Sequence, residues 1–194
     1  MKDLCYNSAM KLTSKHKERF IKIAHQYKGK AVGFRADTIR LPDGRARNRE
    51  YLTHPGAVGV LAFASPSKIL MVKQFRYPMG EFTLEIPAGK LSKGEDPWDC
   101  VRRELEEETG FVAKKIRKLV SYWPTAAFSN EIIHLFVAED LRPTRMNPDD
   151  DEYIQLVTLS PARLMSMMRA GKIQDSKTLI AYLAWKAGLS STKK

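Results

Sequence analysis

The chain has 194 residues, of which 43% are hydrophobic and 28% are charged. This length suits one domain with additional segments, and the composition excludes disorder throughout. No apolar run approaches the roughly 18 residues that a membrane-spanning helix needs. Residues 1–20 lack the apolar segment of a secretory signal, and two cysteines, Cys5 and Cys100, are too few for a disulfide framework or a zinc cage. We therefore expect a cytoplasmic protein with no membrane partner.

The net charge of +11 is unevenly distributed along the chain. Residues 1–30 carry eight lysines and arginines against two acidic residues, so this segment contributes +6 and the rest of the chain +5. A strongly basic protein suggests nucleic-acid binding, but a mildly basic body fits a small polyanionic substrate as well. A solvated helix face also explains the N-terminal lysines. On this distribution we expect no nucleic-acid partner.

A helix is predicted near the N-terminus, followed by extended chain. Apolar side chains recur at helical spacing over residues 14–28, which predicts an amphipathic helix there. These side chains are Phe20, Ile23, Ala24 and Tyr27. Residues 31–41 are predicted to be extended and to end in a turn at 41–44, which reads Leu-Pro-Asp-Gly.

Short apolar runs predict the strands of a sheet, and three helices are predicted among and after them. The strand predictions cover 57–63, 69–75, 82–86, 115–122, 132–138 and 153–158. The helix predictions cover 97–109, 160–171 and 176–187. Strands dominate the first part of the chain and helices its end, which is typical of an α+β fold with a mixed or antiparallel sheet.

The predicted helix at 97–109 carries an unusual set of acidic residues. Its buried stripe consists of Trp98, Val101 and Leu105. Glu104, Glu107 and Glu108 lie beside that stripe, within an arc of roughly 100°. Like charges one turn apart repel, and partial burial increases the penalty, so cations are expected among them. A solvated acidic helix face is the alternative explanation.

Two kinds of cation fit these glutamates. Arg103 lies four residues before Glu107 and can pair with it. Glu104 and Glu108 lie one turn apart at the buried edge, and their hard oxygen atoms suit Mg²⁺ or Mn²⁺.

The spacing of residues around this helix resembles the Nudix box at every defined position. The matching residues are Gly89, Glu95, Arg103, Glu104, Leu105, Glu107, Glu108, Gly110 and Phe111. The resemblance implies an α/β/α sandwich in which the box forms a loop, a helix and a loop. It also implies metal-dependent hydrolysis of a nucleoside diphosphate linked to another moiety, with Mg²⁺ as cofactor and Mn²⁺ as a substitute.

The same resemblance implies roles for individual residues. It implies metal ligation by the Ala88 carbonyl, Glu104, Glu107 and Glu108. Arg103 is implied to hold a carboxylate, and the catalytic set comprises Arg103, Glu107, Glu108 and a general base in an acidic loop. The best match for this base is Asp150, with Glu152 as the alternative.

Segments outside the box are similar to the ADP-ribose pyrophosphatase branch of the family. They are 54–58, 72–77, 84–90 and 171–178. By this resemblance Arg49, Arg76 and Glu131 contact the substrate, and the protein is a homodimer whose subunits exchange N-terminal strands. Residues 1–55 are then the N-terminal helix and dimerisation strands, and 56–194 the hydrolase domain.

The expected function is therefore Mg²⁺-dependent cleavage of a nucleotide sugar, with ADP-ribose giving AMP and ribose 5-phosphate. One alternative within enzymes is GDP-mannose or another nucleoside diphosphate sugar. A non-catalytic nucleic-acid-binding module of the same fold predicts gaps in the glutamate set, whereas Glu104, Glu107 and Glu108 are all present. A cap or dinucleoside polyphosphate hydrolase would need a more basic body than +5 provides.

Overall fold

The computed structural model describes residues 13–147 and 152–190. Contacts within the chain divide it into two compact units. Among the described residues, the first unit contains those up to His54 together with Ala127–Asn130, and the second contains Pro55–Ala126 and those from Glu131 onward.

The first unit is built on a three-stranded antiparallel sheet in the order β1-β2-β3. A single 3-10 turn, Ser14–His16, precedes it, and the strands are β1 (Arg19–Lys28), β2 (Gly33–Arg40) and β3 (Ala46–Thr53). The predicted turn at 41–44 is present, because the Gly44 N–H donates to the Leu41 carbonyl at 2.9 Å. The extended prediction for 31–41 is confirmed by β2.

The helix predicted over 14–28 is wrong, because most of this segment forms β1. Four apolar residues at helical spacing gave the prediction, but Ile21 adds a fifth apolar side chain outside that stripe. Isoleucine, phenylalanine and tyrosine favour strands, and β1 pairs with β2 from Arg19 to Lys28, so the segment is held by strand pairing instead of helical hydrogen bonds. Nearly every β1 side chain is exposed, so burial does not favour a helical face.

The second unit contains a seven-stranded mixed sheet. Its strands are β4 (Ala57–Ser65), β5 (Lys68–Arg76), β6 (Glu81–Glu85), β7 (Ala88–Lys90), β8 (Phe111–Tyr122), β9 (Ile133–Pro143) and β10 (Gln155–Leu159). The main order is β10-β5-β4-β9-β8, while β6 pairs with β5 and β7 with β4. The β4–β9 pair is parallel and the others are antiparallel.

Helices cover both faces of this sheet. They are α1 (Pro97–Thr109), α2 (Pro161–Arg169) and α3 (Ser176–Lys186), at the predicted places. Alternate β4 side chains enter two apolar clusters: Val58 and Val60 pack with α1, whereas Leu61 and Phe63 pack with α2 and α3. The α+β prediction and the implied α/β/α sandwich are therefore confirmed. No helix in the described part of the chain is both long and apolar enough to cross a bilayer.

Candidate active site

Helix α1 is fixed at both ends by its own sequence. The Asp96 carboxylate caps the helix by accepting from the Trp98 N–H at 2.7 Å, and Pro97 occupies the first turn. Gly110 ends the helix in the left-handed region, at φ 69°, and its N–H donates to the Glu106 carbonyl. The buried face between these ends includes Glu104 and Glu108 beside the apolar stripe. The helix thus carries two carboxylates toward the sheet.

The Glu108 carboxylate lies against the start of β7. The residue is 2% exposed, and its Oε2 accepts a hydrogen bond from the Ala88 N–H at 2.8 Å. Burial raises the pKa of Glu108 to about 8, and the charges of Glu104 and Glu152 add to this rise, while the Ala88 hydrogen bond opposes it. A nearby cation would stabilise the ionised form of this buried carboxylate and so favour loss of its proton.

The Glu104 carboxylate lies directly above Gly89. A Cβ atom at position 89 would come within 1.9 Å of the Glu104 Cδ, so only glycine leaves room for this carboxylate. Burial raises the pKa of Glu104 to about 7, although Arg103, whose Nη1 is 2.8 Å from Oε1, opposes the rise. Gly89 therefore has a steric role at the site.

Arg103 organises three acidic residues. The predicted contact with Glu107 is present, at 2.9 Å from Nη1 to Oε2, and the same nitrogen contacts Glu104. The opposite edge of the guanidinium forms a bidentate pair with Glu95, at 2.9 and 3.1 Å. This pair is the main cause that lowers the pKa of Glu95 to about 2. Arg103 thereby fixes the orientation of the acidic side chains.

A second charged network lies at the end of β6, and the sequence does not predict its contacts. The Glu85 carboxylate accepts from the Arg76 Nε at 2.8 Å and Nη2 at 2.6 Å, and from the Thr83 hydroxyl at 2.6 Å. It also contacts the Lys177 ammonium, which lies in the first turn of α3 and pairs with Asp175 at 2.8 Å. The sequence predicts a site role for Arg76 alone among these residues, whereas Glu85 and Lys177 only lie within 84–90 and 171–178, two of the segments similar to the branch.

The remaining predicted site residues lie in different parts of the chain. Arg49 is on β3 in the first unit, where it pairs with Glu18. Glu131 is half-buried in the second unit, and its charge contributes to the raised pKa of Tyr122, whose main cause is burial. Glu152 is close enough for its charge to act on Glu104 and Glu108. Asp150 lies outside the described residues.

The donor set fits a divalent cation. Within the described residues, no group of three or more His, Cys, Asp or Glu side chains is arranged to hold a metal ion. Glu104 and Glu108 are the two glutamates on the buried face of α1, at 8% and 2% exposed. Mg²⁺ typically binds one or two protein carboxylates and completes its shell with water and substrate phosphates. Two hard, buried oxygen donors beside a glycine cradle suit that mode.

The sandwich fold and its acidic helix define the Nudix class of pyrophosphohydrolases, and comparison with known proteins agrees. The model of the NUDIX domain matches residues 53–183. An ADP-ribose pyrophosphatase from Bacillus subtilis (strain 168) is 40% identical over 171 residues, which cover 86% of this chain and 92% of that protein. The chain belongs to the Nudix family.

Other relatives carry different names. A "Methanol dehydrogenase activator" from Bacillus methanolicus is 41% identical over 166 residues, covering 84% of this chain and 90% of that protein. A GDP-mannose pyrophosphatase from Yersinia enterocolitica is 31% identical over 142 residues, covering 68% and 74% respectively. A crystal structure described as an ADP compounds hydrolase has a TM-score of 0.74 at 18% identity, with 87% of this chain and 95% of that one covered, and it supports the fold.

Proposed function

We propose that this protein hydrolyses the pyrophosphate bond of a nucleoside diphosphate sugar in the presence of Mg²⁺, with ADP-ribose as the substrate and AMP and ribose 5-phosphate as the products. The observation that carries the proposal is the pair of buried carboxylates, Glu104 and Glu108, one helical turn apart beside Ala88 and Gly89. The long match to an ADP-ribose pyrophosphatase supports the choice of substrate.

In this proposal the metal ligands are Glu104, Glu107, Glu108 and the Ala88 carbonyl. Held by these residues, Mg²⁺ would neutralise phosphate charge and lower the pKa of a bound water. Arg103 holds Glu104 and Glu107 in fixed orientations through its contacts at 2.8 and 2.9 Å. An acidic residue near the site, Asp150 or Glu152, accepts the proton of the attacking water in this proposal.

The substrate contacts in the proposal are those of Arg76, Arg49 and Glu131. A diphosphate carries charged oxygens that match the planar donor fork of arginine. Arg76 suits this role because its side chain is 40% exposed while its guanidinium is held by Glu85. Residues 56–194 form the hydrolase domain of this proposal, and a reducing cytoplasm suits the buried Cys100 thiol.

We further propose that residues 1–55 mediate homodimerisation. The β1 strand lies at the edge of its three-stranded sheet and exposes several large apolar side chains, which favours pairing with a second chain. They are Phe20, Ile21, Ile23 and Tyr27. Sedimentation equilibrium is expected to give twice the chain mass of 22.1 kDa, and Ile23→Asp is expected to shift the protein toward monomer. A wild-type protein that sediments as a monomer contradicts this proposal.

The proposed activity is tested with a panel of nucleotide sugars. We expect ADP-ribose to be cleaved in Mg²⁺, no cleavage after chelation with EDTA, and full recovery when Mg²⁺ is restored. GDP-mannose is tested in parallel. If the protein cleaves it in preference to ADP-ribose, GDP-mannose replaces ADP-ribose as the proposed substrate. The same protein is titrated with single-stranded RNA, because a nucleic-acid-binding module would show affinity that falls steeply with salt. Salt-dependent RNA binding without hydrolysis of any panel member contradicts the proposed function.

A further inference from the structure

Glu85 is a buried carboxylate that the proposed reaction does not use. Its side chain is 3% exposed, yet three donors surround it: Arg76, Lys177 and Thr83. Burial alone would raise its pKa, but the hydrogen bonds from Arg76 and the charge of Lys177 outweigh that penalty and lower the pKa to about 2. Glu85 is therefore ionised at neutral pH and strongly held.

The network joins parts of the chain that are far apart in sequence. Lys177 is anchored by Asp175, the N-cap residue of α3, through a 2.8 Å contact. The Thr178 hydroxyl donates to the same Asp175 at 2.5 Å and accepts from the Ile86 N–H at 2.9 Å. The backbone after Glu85 is thus tied to α3 at Ile86 and to Glu108 at Ala88. Helix α3 and the carboxylates of α1 fix the same short segment.

Of the two cationic partners of Glu85, Arg76 is the more exposed to solvent. Its side chain is 40% exposed, compared with 12% for Lys177. Glu85 contacts Nε and Nη2 of Arg76, which leaves Nη1 outside the pair. Arg76 also lies close enough to Glu108 for the charge of that carboxylate to contribute to its raised pKa, whose main cause is the hydrogen bond to Glu85. Arg76 is therefore held by Glu85 at a place where the charge of Glu108 still acts on it.

We infer that Glu85, anchored by Lys177 and Thr83, is a positioning residue that orients the Arg76 guanidinium toward a diphosphate oxygen of the substrate. This inference rests on the proposed function for its ligand. A bidentate carboxylate fixes the plane of a guanidinium, so Arg76 meets the ligand without first losing side-chain freedom.

The sign of the effect separates positioning from simple charge balance. Removing the Glu85 charge makes the surroundings of Arg76 more positive, which by Coulomb attraction alone would tighten the binding of an anion. Loss of orientation has the opposite effect, because Arg76 becomes free to adopt other conformations. Weaker binding in Glu85→Gln therefore indicates positioning, and tighter binding indicates charge balance.

The test is a binding experiment with α,β-methylene-ADP, a diphosphate whose bridge resists hydrolysis, in the presence of Mg²⁺. By calorimetry we expect Glu85→Gln to weaken binding about tenfold and Arg76→Gln to weaken it at least as much. The double variant is expected to bind no more weakly than Arg76→Gln, because Glu85 acts through Arg76. Glu81→Gln is the matched control: it removes the same charge from an exposed position on β6, opposite Arg76 in the strand ladder.

Two further readouts, thermal melting and steady-state kinetics, separate the inference from effects on folding and from the proposed activity. Melting temperatures identify variants that fail to fold, and Glu85→Asp then replaces Glu85→Gln, since it keeps the charge but is too short for the same bidentate contact. In steady-state assays we expect Glu85→Gln to raise KM with little change in kcat. If the analogue binds in a way that depends on Glu85 but no nucleotide sugar is cleaved, the proposed function is rejected. The inference about Glu85 and Arg76 is then still supported.

Several results would overturn the inference. They are absence of analogue binding to the wild-type chain, unchanged or tighter binding in the folded Glu85 variant, and additive losses in the double variant. Each of these would leave cleavage of nucleotide sugars by the wild-type protein unaffected, so the proposed function would survive them.

Discussion

Replacing Glu108 with glutamine is expected to lower kcat about a thousandfold, which corresponds to about 4 kcal/mol of transition-state stabilisation. The amide keeps the size of the side chain and can still accept a hydrogen bond from the Ala88 N–H, which is 2.8 Å long in the wild type. It is neutral, however, and so a far weaker ligand for a divalent cation. Steady-state hydrolysis of ADP-ribose in saturating Mg²⁺ measures the effect.

The matched control for this prediction is Glu106→Gln on the same helix. The Glu106 carboxylate accepts from the exposed Thr144 hydroxyl at 3.1 Å and is not among the proposed metal ligands. Its replacement is expected to leave kcat within about twofold, because Glu106 takes no part in the proposed metal or substrate contacts. Wild-type turnover in Glu108→Gln, or equal losses in both variants, contradicts the role proposed for Glu108.

Replacing Gly89 with alanine is expected to reduce kcat/KM about a hundredfold and to destabilise the fold by about 1–3 kcal/mol. The added Cβ would lie 1.9 Å from the Glu104 Cδ and 2.0 and 2.2 Å from its two oxygens. Position 89 is held in β7 by pairing with Val58, so the carboxylate must move instead and leave its place beside Arg103. Kinetics and thermal melting together measure both effects.

Gly59→Ala is the comparison for this second prediction. Gly59 lies on β4 opposite Ala88, and its added Cβ would meet only the hydrocarbon ends of Leu135 and Ile86, at 3.1 and 3.2 Å. We expect a loss of stability with the catalytic constants close to wild type. If Gly89→Ala retains full activity, Glu104 does not need the space above residue 89, and the proposed geometry is wrong.

Strong local signals explain which elements could be predicted from the sequence. Helix α1 has an aspartate cap, a proline in its first turn and a glycine at its end, so the sequence predicts the same bounds that the structure shows. The strands β4 and β5 are continuous apolar runs because both of their faces are covered by helices. Local chemistry and tertiary burial agree in these elements.

Elements without such agreement were missed or mistaken. The β1 strand has no buried face, and the spacing of its apolar residues also fits a helix. Its pairing with β2 makes it a strand. The β3 strand, Ala46–Thr53, is mostly polar and exposed, and β7 has three residues, so neither carries a pattern that a sequence window detects. Pairing with other strands, and not a pattern of side chains along the chain, determines these elements.

The candidate site also has a part that the sequence predicts and a part that only the fold brings together. Residues of one helix and its flanking loops, such as Glu104 and Glu108, are recognisable because their spacing is local. The partners Glu85 and Lys177 are 92 residues apart, and the fold alone brings them together. The pairing of Arg76 with Glu85 depends on the β5–β6 register, which was not predicted. A sequence pattern thus identifies the acidic helix, whereas the structure identifies what orients the arginine.

The central claim is that Glu104 and Glu108 together bind a divalent cation, and Mn²⁺ titration followed by electron paramagnetic resonance tests it most directly. The signal of free Mn²⁺ gives the dissociation constant for the wild-type chain and for Glu108→Gln and Glu106→Gln without any substrate. We expect the wild type and Glu106→Gln to bind equally, and Glu108→Gln to bind at least about tenfold more weakly. Equal Mn²⁺ affinity in all three proteins, or no binding by the wild type, would contradict the claim.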